Sequence, residues 1–278
     1  MYYALFRFFP KKHLSRLMGW LASVRWPGFM LGPVIGLYIR IYRIDMTQFL
    51  PAPEGAWRNF NAFFTRAIRP EARPVEKDKA TLVSPVDGAV VEAGTIEQGR
   101  LIQAKGRTFS LAQLLGDIPG WEKYEGGDFI TLYLSPKDYH RIHTPCAGKV
   151  TRFTYIPGDL WTVSPAGFNG VPDLFARNER LVSYLETAFG EVAVVKVGAT
   201  VVGKIKVVYH EQTSNLPGAT LVNETLASPV AFEKAQELGR FELGSTVILL
   251  TRPGEARLEP LDPGTTVKMG QAIGKTGK

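Results

Sequence analysis

Seven short runs rich in β-branched and aromatic residues, at 88–94, 100–105, 128–134, 148–155, 191–197, 204–209 and 246–250, recur between breaks rich in glycine, proline and polar residues. Runs of this length suit the pleated, half-buried surface of a sheet, whereas a helix needs a longer apolar period. Helices among them are few: 110–115 and 178–184 carry helical patterns, and 136–142 is predicted as a short helix following a strand. Strands and long helices do not alternate, so the crossovers that a parallel sheet requires are missing. The expected fold class is therefore α+β, a mainly antiparallel β core with a few helices.

Residues 54–68 precede the strand-rich part and are predicted helical, with Trp57, Phe60, Phe63 and Phe64 on or near one face and Pro70 and Pro74 beyond the end. Upstream the texture changes again. In residues 1–46, Tyr2, Tyr3, Phe6, Phe8, Phe9, Trp20 and Trp26 are interleaved with Arg7, Lys11, Lys12, Arg16, Arg25, Arg40 and Arg43. The longest uncharged stretch, 26–39, is too short to cross a hydrocarbon core of ~30 Å as a helix, and Pro27 and Pro33 are expected to break it. An amphipathic helical extension lying on the bilayer is the expectation, with apolar groups at headgroup depth and basic groups beside lipid phosphates, each contributing about 1 kcal/mol. Helices packed on the main domain are the rival reading. A secretory signal is disfavoured, because no small-residue cleavage site follows the apolar part.

Charge points the same way. The 33 Lys and Arg exceed the 26 Asp and Glu, giving +7, which suits an anionic membrane but lacks the dense clusters of a nucleic-acid binder, so no nucleic-acid partner is expected. A chain of 278 residues without repeats reads as one large domain, 47–278, carrying the extension 1–46. Cys146 is the only cysteine; it cannot form an internal disulfide and reads as a small buried apolar residue.

The most reactive feature lies near the C-terminus, where Gly239-Arg-Phe-Glu-Leu-Gly244-Ser245-Thr246 opens an apolar run. A serine hydroxyl can attack the carbonyl before it and turn the Gly-Ser amide into an ester, and glycine tolerates the crowding this needs. Elimination would leave a chain ending at Gly244 and a second chain whose first residue carries a ketone. In an isolated setting the same pair simply opens a strand.

His140 and His143 lie three apart in Pro136-Lys-Asp138-Tyr-His140-Arg-Ile-His143-Thr-Pro145, and a helical turn would set them on one face. Three readings stay open: a metal pair, an acid/base pair or ordinary hydrogen-bonded histidines. A metal needs a third ligand, for which Cys146 or Asp87 would have to serve, and the spacing matches no standard zinc signature, so metal is not expected. An acid/base role needs a carboxylate to orient the ring. Asp87, in Ser84-Pro-Val-Asp87-Gly88, is one candidate although Asp-Gly is also a turn signal, and Asp138 is the other. Ser245, His143 and Asp87 would form an activating relay if they met. A serine hydrolase is the competing enzyme class, but Leu-Gly-Ser245-Thr lacks the Gly-x-Ser-x-Gly elbow. A membrane-tethered β-rich binding module also fits the composition.

Six motifs stand in order: Ser84-Pro-Val-Asp-Gly88, Tyr139-His-Arg-Ile-His-Thr-Pro-Cys146, Tyr155-Ile-Pro-Gly-Asp-Leu160, Leu174-Phe-Ala-Arg-Asn-Glu-Arg180, Val197-Gly-Ala-Thr-Val-Val-Gly203 and Gly239-Arg-Phe-Glu-Leu-Gly-Ser-Thr246. Together they resemble the bacterial membrane-associated phosphatidylserine decarboxylases over residues 55 to 275. The resemblance implies a proenzyme cut between Gly244 and Ser245 into a large β chain, 1–244, and a small α chain, 245–278. It implies a covalent pyruvoyl group made from Ser245 that takes the substrate amine as a Schiff base, with no metal and no pyridoxal phosphate. It further implies Asp87, His143 and Ser245 as the self-cleavage relay, Asp138 as an assisting carboxylate, and His140 as proton donor in decarboxylation. Phosphatidylserine would be met in an anionic membrane from the cytoplasmic face by a peripheral protein, a homodimer of processed protomers. Phe63 and Phe64 are candidates for meeting acyl chains, and Arg177 and Arg180 for the phosphate or carboxylate.

Overall fold

The computed structural model describes residues 11–200, 204–242 and 245–277. The calls on Tyr2, Tyr3, Phe6, Arg7, Phe8 and Phe9, on the end of the 197–203 motif, and on Gly244 fall outside them. Among the described residues three α-helices precede the first strand, α1 (Lys11–Ser23), α2 (Gly28–Tyr42) and α3 (Phe60–Phe64). The chain continues as β1 (Thr81–Val83), β2 (Gly88–Thr95), β3 (Arg100–Ala104), β4 (Arg107–Ser110), α4 (Leu111–Leu114), β5 (Asp128–Leu134), β6 (Arg141–His143) and β7 (Gly148–Ile156). After α5 (Pro165–Gly170) and α6 (Leu174–Arg177) it is strand to the end: β8 (Arg180–Thr187), β9 (Gly190–Val197), β10 (Lys204–Val207), β11 (Val222–Phe232), β12 (Glu237–Glu242), β13 (Ser245–Thr251), β14 (Ala256–Leu258), β15 (Thr266–Val267) and β16 (Ala272–Thr276).

An eight-stranded antiparallel sheet, ordered β11-β7-β8-β9-β13-β5-β2-β15, forms the spine. Both of its faces are covered, which is why its central strands read as continuous apolar runs and not as alternating ones. Along β13, Val247 and Leu249 enter one core with Ile205, Leu238 and Phe241 of the small sheet β10-β12-β6 and with Leu258 and Ile273 of β1-β16-β14. The intervening Ile248 and Leu250 enter a second core, with Phe109, Leu114 and Phe175 from the layer of α4 to α6 and the β3-β4 hairpin. Period-2 geometry thus divides one strand between two cores.

Several predicted helices are overturned. The helix foreseen at 54–68 shrinks to α3, because the Asn59 side chain accepts from the Ala62 N–H at 2.9 Å and starts the helix there, while a separate 3-10 turn occupies Pro53–Gly55. Residues 178–184 are not helical: they enter β8, where Leu181 and Val182 go to opposite cores, and burial on both faces overrides the helical pattern. The predicted helix at 136–142 is a turn followed by β6. Asp138 accepts from both the N–H and the hydroxyl of Ser135, at 2.8 and 2.7 Å, closing the turn. Pro33 does not break α2; the helix runs through it, losing one donor on an exposed face, and Pro27 stands at the N-cap.

The second N-terminal helix packs on the main domain, as the rival reading had it, and keeps an exposed apolar side as well. From α2, Leu31 and Ile35 pack with Phe49, Phe63, Ile68, Tyr139 and Met269 in a third cluster. The rest of α2 is equally apolar yet faces outward: Phe29, Met30, Val34, Leu37 and Ile41 are all exposed. A helix apolar all round but covered on one side presents its other side to something apolar. Among the described residues no helix is long and apolar enough to cross a membrane.

Candidate active site

One end of the large sheet gathers the reactive groups. β13 opens at Ser245 directly opposite Leu134, the last residue of β5. On the other side of β5, β2 opens at Gly88, immediately after Asp87. The Asp87-Gly88 pair is not a hairpin corner. A Cβ on Gly88 would lie 2.7 Å from the Tyr133 carbonyl oxygen, so glycine is required for β2 to close on β5 at this point. From the end of β5 the chain turns through Asp138 and reaches His140 before β6.

Ser245 is fully buried, and its Oγ has no hydrogen-bond partner among the described residues. Such a hydroxyl retains its desolvation cost without compensation. His140 is also fully buried. Its Nδ1 lies 2.8 Å from the Asp138 carbonyl oxygen, so Nδ1 carries the hydrogen and donates, leaving Nε2 as an acceptor without a partner among the described residues. Burial pushes its pKa down to about 3, opposed by the Asp138 carbonyl and by the charge of Asp87. At neutral pH the ring is therefore neutral.

His143 is held differently. Nδ1 lies 2.6 Å from the Ala235 carbonyl and donates to it, while Nε2 accepts from the Tyr139 hydroxyl at 3.0 Å. Burial lowers its pKa as well. Because β6 sends Ile142 into the core beneath the sheet, His143 takes the opposite side of that strand, beside Tyr139 and Ala235. Asp87 is bound elsewhere: Arg73 Nε reaches both carboxylate oxygens at 2.8 and 3.1 Å, Arg73 Nη2 lies 2.5 Å from Oδ2, and the Met269 N–H donates to Oδ1 at 2.9 Å. Asp87, His143 and Ser245 thus share a neighbourhood but are not joined by direct hydrogen bonds. Asp87 acts on both histidines through its field, raising the pKa of each. Asp138 positions His140 through its backbone carbonyl while its carboxylate closes the turn.

Phe64 lies with its ring 4.1 Å from the His140 ring, and Phe63 is buried in the third cluster. Phe64 also lines an apolar cavity of about 740 Å³, which it shares with Leu21, Trp26, Val34, Tyr38 and Phe60. Of the predicted anion ligands, Arg180 is buried and donates to the carbonyls of Leu114 (2.7 Å), Asn178 (2.7 Å) and Gln113. It clamps the entrance of β8 to α4. Arg177 is half-exposed and pairs with Asp159 at 3.3 Å. No group of three or more potential metal ligands occurs among the described residues. Cys146 is a buried member of the core, its thiol pushed up to about 12 by burial.

Tyr139, Arg73 and Arg66 are among the polar residues of this region that the sequence reading did not single out. Tyr139 was visible within its motif but carried no role, and nothing local marked either arginine.

The phosphatidylserine decarboxylase family model matches residues 60–275, most of the chain and all of the strands that build the site. The chain belongs to the phosphatidylserine decarboxylase family. Relatives named phosphatidylserine decarboxylase proenzyme are similar over nearly their whole length. That of Anaeromyxobacter sp. (strain K) is 47% identical, covering 99% of this chain and 98% of its own. Those of Shewanella frigidimarina and Methylococcus capsulatus are 43% and 42% identical, covering 96% and 95% of this chain and 94% and 93% of theirs. A proenzyme is cleaved, and here cleavage yields two chains.

Proposed function

We propose that the chain is a self-cleaving, pyruvoyl-dependent decarboxylase that converts phosphatidylserine to phosphatidylethanolamine and carbon dioxide, acting as a peripheral protein on the cytoplasmic face of the membrane. The observation that carries this reading is Ser245: a buried hydroxyl with no partner among the described residues, directly after Gly244 in the chain, at the sheet end shared with Asp87 and His140.

An unpartnered hydroxyl held in an apolar setting fits the precursor of a pyruvoyl group. Ser245 Oγ attacks the Gly244 carbonyl carbon, and the amide nitrogen leaves with a proton as the ester forms. Loss of the Ser245 α-proton and scission of its Cβ–O bond then release the Gly244 carboxylate, and water replaces the nitrogen of the new terminus, as ammonia, to leave a ketone. In this reading His143 moves the protons, and Asp87 supports it through its charge. The Tyr139 hydroxyl caps His143 Nε2, so it must yield that position or pass the proton on.

The pyruvoyl group supplies an electron sink for the pair of electrons left when carbon dioxide departs. His140 then serves as proton carrier. Its Nε2 has no partner among the described residues and can carry a proton there; burial makes the ring a weak base, so once loaded it gives the proton up readily and returns it to the α-carbon. The desolvated pocket favours this return, because a buried imidazolium is costly. The cavity beside Phe64 accommodates acyl chain, and the exposed face of α2 rests in the bilayer, so headgroup and reaction centre meet at one depth. Residues 1–46 then form the membrane-associating segment and 47–278 the catalytic part. By likeness to the family, processed protomers pair as a homodimer.

Intact-mass analysis combined with carbon dioxide release from phosphatidylserine vesicles tests this. Wild type is expected as two chains with the serine-to-pyruvoyl mass change and with gas release, and Ser245→Ala as one inert chain. A wild-type chain that stays whole refutes the reading.

A further inference from the structure

Arg66 is buried without the partners a guanidinium needs. It is 1% exposed, packed against the rings of Phe49 and Phe63 with Cζ 3.9 and 4.8 Å from their centroids. Among the described residues its guanidinium makes one hydrogen bond, from Nη1 to the Phe63 carbonyl at 3.3 Å. Nε and Nη2 have no partner among the described residues, and no carboxylate pairs with Arg66 there. Burial pushes its pKa down to about 10, so it stays charged at neutral pH. Aromatic faces compensate a cation only in part, so an unpaired guanidinium of this kind opposes folding unless something completes it.

Its position indicates what that is. The preceding residues reach the reaction centre: the Thr65 carbonyl accepts from Arg141 Nε at 2.9 Å, and Phe64 covers His140. The charge of Arg66 itself acts on His140. His140 Nε2 and the Nε/Nη2 edge of Arg66, both unpartnered among the described residues, therefore lie within electrostatic reach of each other. Nε–H and Nη2–H lie on the same edge of the guanidinium, the two-pronged donor that matches a pair of anionic oxygens.

We propose that Arg66 is the receptor for the phosphate diester of the lipid headgroup, taken by its Nε–H and Nη2–H edge. This rests on the decarboxylase reading and adds the headgroup contact that Arg177 and Arg180, both engaged elsewhere, leave unfilled. Phosphate is favoured over the substrate carboxylate on energetic grounds. A guanidinium clamped on the carboxylate would stabilise the ground state and oppose its departure as neutral carbon dioxide, whereas the phosphate is unchanged throughout and can anchor substrate and product alike. Phe64 stands between the acyl cavity and His140, so the headgroup enters by displacing its ring.

The test uses processed full-length protein with Arg66→Met and Arg66→Lys. Binding of dihexanoyl phosphatidylethanolamine, which has the phosphate but no carboxylate, is followed by calorimetry. Chain cleavage, thermal unfolding and turnover of dihexanoyl phosphatidylserine are measured in parallel. For Arg66→Met we expect normal cleavage, an unchanged or higher Tm because an unpaired buried charge is removed, and binding weakened at least tenfold with a matching rise in KM. Arg66→Lys should fall between. Unchanged binding by Arg66→Met overturns the proposal, as does a KM effect confined to the carboxylate-bearing lipid. Loss of folding in both variants would assign Arg66 to the scaffold and overturn it equally. A cleaved wild type that binds the phosphatidylethanolamine probe but does not turn over phosphatidylserine would instead sink the decarboxylase reading, while the calorimetry still reports on Arg66.

Discussion

Replacing Phe29, Leu37 and Ile41 of α2 together by serine should detach the protein from membranes without disturbing its fold or chemistry. The three side chains are 79%, 58% and 63% exposed, and none lines the apolar cavity or joins the third cluster. Full burial of such a side chain is favourable by about 1.5–3 kcal/mol. With roughly two-thirds of each still open to solvent, sinking all three into acyl chains contributes about 4 kcal/mol, or roughly a thousandfold in partition at 1.4 kcal/mol per decade. Nothing in the core is lost, so Tm should move by no more than the small amount typical of surface substitutions. Cosedimentation with vesicles reads the partition, and turnover of a dispersed short-chain substrate reads the site. The expected outcome is a triple variant that stays in the supernatant yet retains its short-chain activity. Cosedimentation equal to wild type would show that the exposed face of α2 is not the membrane contact.

Other perturbations separate the two histidines and the frame that holds them. His143→Ala should block chain cleavage, whereas His140→Ala should be cleaved but release no carbon dioxide; gel migration and gas release distinguish them, and a cleaved His143→Ala would reassign the base. Stability should fall with acid, because His140 is held near pKa 3 against 6.5 for the free residue. Its contribution is complete above pH 6.5 and is lost as pH falls from there toward 3, at about 1.4 kcal/mol per pH unit. Urea unfolding should therefore lose about 2 kcal/mol from this group between pH 6.5 and 5, and His140→Phe should flatten the slope by that amount. Gly88→Ala forces a methyl to 2.7 Å from the Tyr133 carbonyl, so β2 must separate from β5; calorimetric stability should drop by about 1–3 kcal/mol, and cleavage should slow at least tenfold as Asp87 moves with the strand.

Strand runs were legible because period and β-branching are local. Asp128–Leu134 occupies the bounds read from the sequence, and the others differ by a few residues at most. Helix assignments fared worse where a short segment could satisfy two patterns. The stretch from Arg180 onward became β8 because two cores were available to receive alternate side chains, and 136–142 became turn and strand because the Asp138 carboxylate closed on Ser135. The histidine pair illustrates the consequence: on a helical turn the rings would share a face, but in the fold His140 lies against Phe64 while His143 sits between Tyr139 and Ala235.

The amino-acid sequence by itself determined the sheet-based core, the apolar and basic character of the N-terminal segment, and the Gly244-Ser245 pair proposed as the point of cleavage, since each depends on neighbours only a few positions apart. Partnership was decided in three dimensions. That Asp87 is taken by Arg73, that His143 is capped by Tyr139, and that Arg66 is buried within electrostatic reach of His140 with no counter-ion among the described residues all follow from strand register and from loops far apart in the chain. Hydrogen bonds and desolvation act over a few ångströms of space, and local pattern carries no record of which distant side chain will fill that distance.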